Sequence, residues 1–310
     1  MRAIVCPRYG PPEVLQLREV DTPAPKKTEV RVRIVATAVT ASDILVRGSQ
    51  LPFPLWLVLR LAVGITKPRR RIIGMVLAGD VDAIGANVTQ FAKGDAVYGF
   101  TGLGLGTYAE FTCVPEKPSL WGFLAPKPTN MTYEQAAAVP YGGMLALHFL
   151  RRGNIARGQK VLIYGASGAT GTAAVQLAKY FGTTVTGVCS TANIELVKSL
   201  GADNVVDYTS ESSLPLGESY DLVLDAVGRR KTSALKMQSQ NALTPDGKYV
   251  SVDDGSVVYA VEALVFLKEL IEAGHFNATI DRTYSLDQMV DAHRYVEQGH
   301  KKGNVVVKVA

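Results

Sequence analysis

Cysteine is scarce in this 310-residue chain, and that scarcity excludes two kinds of scaffold. The three cysteines, Cys6, Cys113 and Cys189, are odd in number and far apart. Neither a disulfide framework nor a Cys-x-x-Cys structural zinc site can be drawn from them. We therefore expect reduced, structural thiols.

Long hydrophobic runs are also missing. No uninterrupted apolar stretch approaches the ~20 residues that a helix needs to cross a bilayer. The N-terminal sequence MRAIVCPRYG has no apolar core typical of a signal peptide. Because 47% hydrophobic and 20% charged residues are ordinary for a globular protein, we expect a cytoplasmic protein without a transmembrane segment.

Basic clusters are few and short, although the net charge is +5. They cover residues 69–71, 229–231 and 301–302, and none alternates with aromatic residues as in a nucleic-acid-binding module. The sequence therefore predicts no nucleic-acid partner. The mild positive charge favours an anionic ligand such as a pyrophosphate.

The chain contains two different patterns of secondary structure. Up to about residue 120, short β-like runs such as 30–37, 75–84 and 108–114 alternate with Gly and Pro, which predicts a mostly antiparallel, barrel-like domain. A helix is predicted over 132–152, beginning at a capping box of Thr132 and Gln135. From residue 160, β-branched runs alternate with helical segments, which predicts a parallel, doubly wound sheet. The last strand, 304–309, should return to the first domain.

A glycine-rich segment follows the first strand of that alternating region. It reads Gly165-Ala-Ser167-Gly168-Ala169-Thr170-Gly171 and opens a helix. A pyrophosphate needs a turn without obstructing side chains, free backbone N–H groups and the positive end of a helix dipole. An ordinary strand-to-helix turn is the alternative, but the repeating β/α pattern favours dinucleotide binding.

The end of the second strand bears on the choice of cofactor. A site that prefers NAD places Asp or Glu there, whereas this chain has Ser190, Thr191 and Asn193. Their polar groups could hold a 2′-phosphate, so the sequence predicts NADPH. The same residues could instead cap the following helix, and both roles can coexist.

Several motifs together resemble the zinc-free quinone oxidoreductase-like branch of the medium-chain dehydrogenase/reductases. They include the glycine cradle and, along the chain, residues 94–99, 136–140, 175–179, 200–203, 225–228 and 303–306. The resemblance implies an α/β fold, with a Rossmann doubly wound parallel sheet over 128–274 and a GroES-like β-barrel catalytic domain over 1–127 and 275–310. It also implies further cofactor contacts from these residues: Tyr208, Val227, Gly228, Gly303 and Asn304.

The metal of the zinc-dependent relatives is not expected here. Their ligand positions resemble Thr40, Met75 and Tyr141, which are not the Cys, His or carboxylate ligands that zinc prefers. Without a Lewis acid, reduction of an activated acceptor is more plausible than oxidation of an alcohol. The predicted substrate is a small apolar quinone or α,β-unsaturated carbonyl compound.

By resemblance, Ser42, Asp43 and Tyr141 are the candidate catalytic residues. Ser42 or Asp43 could orient substrate or relay a proton, or they could stabilise a turn. The Tyr141 phenol could donate to an oxyanion, or the ring could pack beside the cofactor, and Tyr98 is equally ambiguous. The four histidines have no partner at a motif spacing, so packing or surface roles are expected.

Other interpretations remain open. The apolar segment 51–66 could be a lid over an apolar pocket, a contact with a membrane surface, or ordinary packing. A homodimer is possible, but the segment after residue 252 is too short for the usual dimer strand. The alternative functions are a zinc-free NADP-dependent dehydrogenase of another carbonyl or alcohol substrate, and a non-catalytic NADPH sensor.

Overall fold

The structure is a computed structural model that describes residues 1–48, 55–210, 214, 217–230, 233–255 and 257–310. The chain divides into two compact units. The first unit comprises Met1–Pro140, Ala260–Glu269 and Ile280–Ala310, and so draws on both ends of the chain. The second unit comprises Tyr141–Tyr259 and Leu270–Thr279.

The strands and helices are numbered along the chain. The strands are β1 Arg2–Val5, β2 Gln16–Glu19, β3 Glu29–Val39, β4 Val76–Ile84, β5 Ala96–Phe100, β6 Phe111–Pro115, β7 Phe123–Pro126, β8 Lys160–Tyr164, β9 Thr184–Cys189, β10 Asn204–Asp207, β11 Tyr220–Asp225, β12 Leu243–Ser251, β13 Ile280–Ser285 and β14 Asn304–Lys308. The helices are α1 Ala41–Gly48, α2 Leu55–Val63, α3 Tyr133–Ala138, α4 Pro140–Arg152, α5 Ala169–Tyr180, α6 Ile194–Ser199, α7 Ala234–Asn241, α8 Val261–Glu272 and α9 Met289–Glu297.

The first unit is built on a mostly antiparallel sheet. Its strand order is β13-β14-β3-β4-β5-β7, with β6 also paired to β3, and only β13 and β14 pair in parallel. Alternate residues of β3, namely Val30, Val32 and Ile34, are fully buried, as expected for a strand with one face in a core. The last strand, β14, pairs with β3, so the predicted return of the chain end to this domain is confirmed.

The second unit contains a parallel sheet of strand order β10-β9-β8-β11-β12. Successive strands run outward from β8 in one direction and then resume at β11 in the other. The order therefore reverses between β8 and β11, where the carboxyl ends of parallel strands leave a crevice for a ligand. The predicted doubly wound sheet is confirmed.

The predicted helix over 132–152 is in fact two helices. The capping box is confirmed: Thr132 Oγ1 accepts from the Gln135 N–H and the Gln135 side chain accepts from the Thr132 N–H. The first helix ends at Ala138 and the second begins at Pro140, because proline has no N–H to continue a helix but is favoured in a first turn. Since α3 packs against β3, β4 and β14, the first unit extends to Pro140.

Part of the segment interpreted as a lid, residues 51–54, lies outside the described residues, and its next residues form α2. Within the described ranges, no helix is long and apolar enough to cross a membrane. Over the described part of residues 252–260 no strand is formed between β12 and α8. Helices α1, α2 and α7 were not predicted.

Candidate functional site

The glycine cradle joins β8 to α5 at the crevice of the parallel sheet. The N–H groups of Gly165 and Ala166 both donate to the carbonyl of Val188 on β9, at 3.0 and 2.9 Å, which fixes the turn to the sheet. The first helical hydrogen bond of α5 runs from Thr172 N to Gly168 O, at 2.8 Å. The N–H groups of Ala169, Thr170 and Gly171 therefore precede the hydrogen-bonded ladder of the helix and can bind an anion.

Two of the glycines are required by the packing of the turn itself. A Cβ on Gly171 would lie 2.1 Å from the carbonyl oxygen of Gly165. Gly165 has a φ of +80°, and a Cβ there would lie 2.4 Å from a methyl group of Val227. At Gly168 the nearest atom would be 3.6 Å away, so this position borders open space. Gly171 therefore permits the close approach of helix to strand, whereas Gly168 leaves open space that a ligand could occupy.

Asn193 connects the cradle to the end of β9. Its side-chain amide donates to the hydroxyl oxygens of Ser167 and Ser190, at 3.1 Å each. Since both oxygens accept from Asn193, both hydroxyl protons are left to donate elsewhere. The Asn193 Oδ1 atom is buried and has no hydrogen-bond partner. Neither Ser190 nor Asn193 makes a side-chain cap, so their side chains face one another instead of the helix end.

Thr191 is engaged differently from the neighbouring serine. Its hydroxyl donates to Asp207 Oδ2 at the end of β10, and it also contacts Thr209 Oγ1 at 2.8 Å. Hydrogen bonds from Thr191 and Thr209 hold the pKa of Asp207 well below its usual range. A carboxylate from β10 therefore lies at this turn, although the sequence of β9 supplies none. A hydroxyl that already donates to Asp207 cannot also donate to a phosphate, which leaves Ser190 as the better donor.

The turn after β11 is tightly held. Asp225 Oδ1 accepts from the N–H groups of Val227 and Gly228, at 3.0 and 3.1 Å. Gly228 has a φ of +68°, and a Cβ there would lie 2.3 Å from a carboxylate oxygen of Asp253. Both predicted cofactor-contacting residues of this turn therefore have their backbone fixed before any ligand arrives.

A buried ion pair supports the same turn. Lys236 Nζ lies 2.7 Å from Asp225 Oδ2, and the two side chains are 9% and 2% exposed. The lysine also donates to the carbonyl of Gly228. The hydroxyl groups of Tyr249 and Ser251 also donate to Asp225 Oδ2, at 3.0 and 3.3 Å. The sequence did not indicate a role for Lys236, because Asp225 lies eleven positions away on another element.

The other predicted cofactor contacts are divided between the two units. Tyr208 follows β10 in the second unit, where its N–H donates to Cys189 O and its ring is 42% exposed. Gly303 and Asn304 belong to the first unit, at the start of β14, where Gly303 has a φ of +67°. Their contact with a cofactor stays a prediction.

Tyr141 lies beside the cradle. It occupies the first turn of α4, and a Cβ on the next residue, Gly142, would lie 2.6 Å from the carbonyl oxygen of Ala169. A second phenol, Tyr259, is its neighbour: burial raises the Tyr259 pKa well above its usual value, and the charge of Tyr141 raises it further. No local sequence pattern indicates this pair, because 118 positions separate the two tyrosines.

Ser42 and Asp43 lie in the first turn of α1. Asp43 Oδ2 accepts from the N–H and the hydroxyl of Thr40, at 2.8 and 2.7 Å, and the Thr40 hydroxyl lies 3.3 Å from the Asp43 N–H. These reciprocal bonds form a helix cap. Asp43 has no exposed surface, whereas Ser42 is half-buried. Direct contact with substrate is therefore open to Ser42, and Asp43 can act only through its neighbours.

Asp43 ends a buried polar chain that the sequence did not reveal. Arg47 Nε donates to His293 Nδ1 at 3.1 Å, and His293 Nε2 lies 3.2 Å from the Tyr108 hydroxyl. Because arginine can only donate, His293 carries its proton on Nε2 and donates to Tyr108, whose own proton is directed to Asp43. Arg47 is fully buried, donates to Gly10 O at 2.6 Å and pairs with Glu297.

Burial displaces the pKa values along this chain. It raises the pKa of Asp43 to about 6, against the opposing hydrogen bonds from Thr40 and Tyr108. It lowers the pKa of His293 to about 3, and the charge of Arg47 adds to that effect. His293 is thus a neutral packing residue at pH 7, as expected for the histidines.

Other candidate groups have ordinary structural roles. Tyr98 is fully buried and donates to Leu264 O at 2.6 Å, which favours packing over catalysis. The three cysteines are free, and burial raises the pKa of each to about 11, so all are thiols at neutral pH. In the described part of the chain, no cluster of three His, Cys, Asp or Glu side chains could hold a metal.

Comparison with known families gives two matches. A family described as an alcohol dehydrogenase GroES-like domain matches residues 26–122. One described as a zinc-binding dehydrogenase matches residues 169–289. Together they cover parts of both compact units.

Individual proteins are similar over nearly the whole chain. A 2-methylene-furan-3-one reductase of Solanum lycopersicum is 32% identical over 96% of this chain and 76% of its own length. An NADPH-dependent alkenal/one oxidoreductase of Arabidopsis thaliana is 31% identical over 99% of this chain and 79% of its own length. The solved structure of a quinone oxidoreductase from Coxiella burnetii matches with a TM-score of 0.86 and 27% identity, covering 100% and 99% of the two chains.

The glycine cradle predicts different effects for two alanine substitutions. Gly171→Ala should lower the free energy of unfolding by ~1–3 kcal/mol, because its Cβ would overlap the Gly165 carbonyl. Gly168→Ala should leave stability almost unchanged but weaken dinucleotide binding, since its Cβ enters the open side of the turn. Thermal unfolding and titration with NADPH separate the two effects, and equal stability losses would contradict this account.

Removing the lysine of the buried ion pair should destabilise the second unit. Lys236→Met leaves the Asp225 carboxylate buried without its counter-charge, which should cost ~3–5 kcal/mol. The double variant Lys236→Met with Asp225→Asn should recover part of that loss, because no buried charge remains. Urea unfolding measures the three proteins, and additive losses in the double variant would show that the two residues are not coupled.

The displaced pKa values of Asp43 and His293 predict opposing effects of pH on the free energy of unfolding. The pKa of Asp43 is about 6 in the folded chain and 3.8 ordinarily, so its contribution to the free energy of unfolding falls as pH rises between them. The pKa of His293 is about 3 in the folded chain and 6.5 ordinarily, so its contribution rises over the same window. The two contributions offset one another between pH 3.8 and about 6.

Single variants should separate the two contributions. Relative to the unsubstituted chain, Asp43→Asn should add a slope of about +1.4 kcal/mol per pH unit in that window, and His293→Asn a slope of about −1.4. Asparagine suits both positions because its oxygen can still accept from Thr40 or Arg47. Denaturant unfolding at several pH values gives the slopes, and parallel curves for all three proteins would refute the assignment.

Proposed function

Because the chain belongs to the quinone oxidoreductase-like branch of the medium-chain dehydrogenase/reductase superfamily and is an NAD(P)H-dependent oxidoreductase of that type, we propose that it is a zinc-independent, NADPH-dependent reductase of quinones or α,β-unsaturated carbonyl compounds. The observation that carries the proposal is the glycine cradle at the crevice of the parallel sheet, with two serine hydroxyls beside it that accept from Asn193. The similar reductases named above act on acceptors of this class, by their names.

The described residues fit a dinucleotide. The space beside Gly168 and the N–H groups that precede the ladder of α5 are suited to a phosphate-bearing ligand. Ala169, Thr170 and Gly171 would hold the pyrophosphate. The turn of Val227 and Gly228, braced by Asp225, would border the nicotinamide side, and the exposed ring of Tyr208 would border the adenine.

The preference for NADPH rests on the donors at the end of β9. Ser190 and Ser167 each keep a hydroxyl proton for a phosphate oxygen, because Asn193 occupies their acceptor side. The carboxylate of Asp207 stays ionised, but its oxygens already accept from two threonine hydroxyls, so it is less able to accept from the 2′-hydroxyl of an NAD ribose. Gly303 and Asn304 are proposed to complete the cofactor site.

The proposed class of acceptor follows from the hydrogen-bond donors that the chain can offer to a substrate. When bound, the nicotinamide supplies a hydride. By resemblance, Thr40, Met75 and Tyr141 take the places of the zinc ligands of related dehydrogenases, and these residue types are not the ligands that zinc prefers. The acceptor must therefore be activated already, as quinones and enones are, and must need only a hydrogen-bond donor for the charge that develops on its oxygen.

Two groups are proposed as that donor. Tyr141 has a phenolic hydroxyl and precedes Gly142, which packs against the start of α5, so it can donate to an enolate-like oxygen and then give it a proton. Ser42 is partly exposed and can orient the carbonyl group. Asp43 is a positioning residue, because it caps the helix that presents Ser42 and has no exposed surface.

Turnover assays test the function directly. NADPH oxidation should be followed with a panel of quinones and a panel of 2-alkenals, with NADH in place of NADPH and with EDTA as controls. Turnover that prefers NADPH and survives EDTA supports the proposal. Oxidation of alcohols with NADP, or loss of activity with EDTA, would refute it in favour of a different dehydrogenase. Tight NADPH binding without turnover on either panel would favour a sensor.

A pair of neighbouring variants tests the cofactor preference. Ser190→Asp should weaken NADPH binding at least about tenfold while changing NADH binding little, because a carboxylate there repels the 2′-phosphate. Thr191→Val is the matched control and should have a small effect, since its hydroxyl proton is already committed to Asp207. Fluorescence titration with both nucleotides gives the ratio, and equal losses for both variants would contradict the assigned roles.

A further inference from the structure

The first unit exposes several large hydrophobic side chains around α2. Leu57 and Leu61 lie one helical turn apart on this helix and are 38% and 53% exposed. Ile65, just after the helix, is 59% exposed. Leu120 and Trp121, in the loop between β6 and β7, are 77% and 53% exposed. A monomeric soluble domain rarely exposes so many large apolar side chains in neighbouring segments.

Direct contacts join the helix to the loop. Arg69 N donates to Val63 O at 2.8 Å, which brings the basic segment 69–71 back to the end of α2. The guanidinium of Arg70 then lies over the Trp121 ring, 5.5 Å from its centre. We call the exposed part of this region the α2 surface, defined by Leu57, Leu61, Ile65, Lys67, Arg69, Arg70, Arg71, Leu120 and Trp121.

Arg60 and Val63 anchor α2 in the first unit, whereas Leu57 and Leu61 of the same helix are exposed. Arg60 is 3% exposed, and its guanidinium lies over the ring of Tyr9, 3.1 Å from the centre. The hydroxyl of Tyr9 donates to Gly64 O at 2.6 Å, at the end of the helix. Val63 is also buried. Leu57 and Leu61 are therefore exposed while Arg60 and Val63 of the same helix are held in the unit.

The charge of this region has one sign. Between Asp43 and Asp80 the sequence contains no acidic residue, and between Glu116 and Glu134 it again contains none. The four cations that follow α2, Lys67, Arg69, Arg70 and Arg71, are all exposed. Positive charge beside exposed leucines and a tryptophan is typical of segments that lie in the interface of an anionic membrane.

We infer that the α2 surface binds anionic lipid bilayers peripherally. Leu57, Leu61 and Ile65 would enter the boundary between headgroups and acyl chains, and Trp121 would lie at the headgroup level, where its amphipathic ring is favoured. The arginines would contact lipid phosphates. This inference concerns the first unit alone and does not depend on the proposed reductase activity, so either can fail without the other.

Sedimentation with lipid vesicles tests the inference on the full chain. Vesicles of phosphatidylcholine alone are compared with vesicles that also contain phosphatidylglycerol, at low and high salt, without cofactor. The chain should bind the anionic vesicles, and salt should weaken binding by screening. Replacing Arg69, Arg70 and Arg71 with Gln should weaken it on the order of a hundredfold.

Variants of the apolar side chains complete the test. Leu57→Gln with Leu61→Gln should abolish sedimentation, and Trp121→Ser, which lies outside the helix, should weaken it independently. Met237→Gln is the matched control, because Met237 is a 61% exposed apolar residue on α7 of the other unit. It should bind as the unsubstituted chain does, and circular dichroism checks that each variant is folded.

Three results would overturn the inference. One is that the unsubstituted chain does not sediment with anionic vesicles at low salt. Another is that all variants bind equally well, which would locate the lipid contact elsewhere. The third is a dimer in solution that the Leu57→Gln, Leu61→Gln variant loses, which would mean that a second copy of the chain covers this surface.

Discussion

The close approach of α5 to the end of β8 is the constraint on which the second unit depends. The backbone of Gly171 lies so near the Gly165 carbonyl that no side chain fits between them. That contact points the N-terminus of α5 at the crevice where the strand order reverses, and it leaves three N–H groups without partners inside the helix. The proposed anion site thus follows directly from how a helix packs on a parallel sheet.

In each unit, a buried charged group stabilises a turn that carries candidate site residues. In the second unit, the Lys236 and Asp225 pair fixes the turn of Val227 and Gly228. In the first, Arg47 orients His293 and Tyr108, and the chain ends at the carboxylate that caps α1. Burying these charges is costly unless each is paired, so the geometry of the turns is specified more narrowly than apolar packing alone would allow.

The first unit combines this rigid interior with an apolar and basic exterior. Arg60 shows how the two are related, because its charge is held against Tyr9 inside the unit while the leucines of the same helix face solvent. The contact of Arg60 with Tyr9 and the burial of Val63 anchor this helix in the unit. This arrangement is compatible with the proposed contact with a lipid surface.

Much of the fold followed from local sequence patterns. The parallel strands, the return of β14 and the capping box at Thr132 were predictable because each depends on periodicity or on residues three apart. The break between α3 and α4 was marked by Pro140 but needed the packing of α3 against the first sheet to become evident.

The residues of the candidate site likewise divide into those that a local sequence pattern predicts and those that it does not. The glycine spacing and the polar residues after β9 are local signals. The position of the cradle and the resemblance to the quinone oxidoreductase-like branch could therefore be recognised from the sequence. Tertiary structure alone decided that Thr191 donates to Asp207, that Tyr259 neighbours Tyr141 and that Lys236 neutralises Asp225. Strand order and helix packing bring these partners together although they are not neighbours in the sequence. A local sequence pattern does not contain information about such contacts.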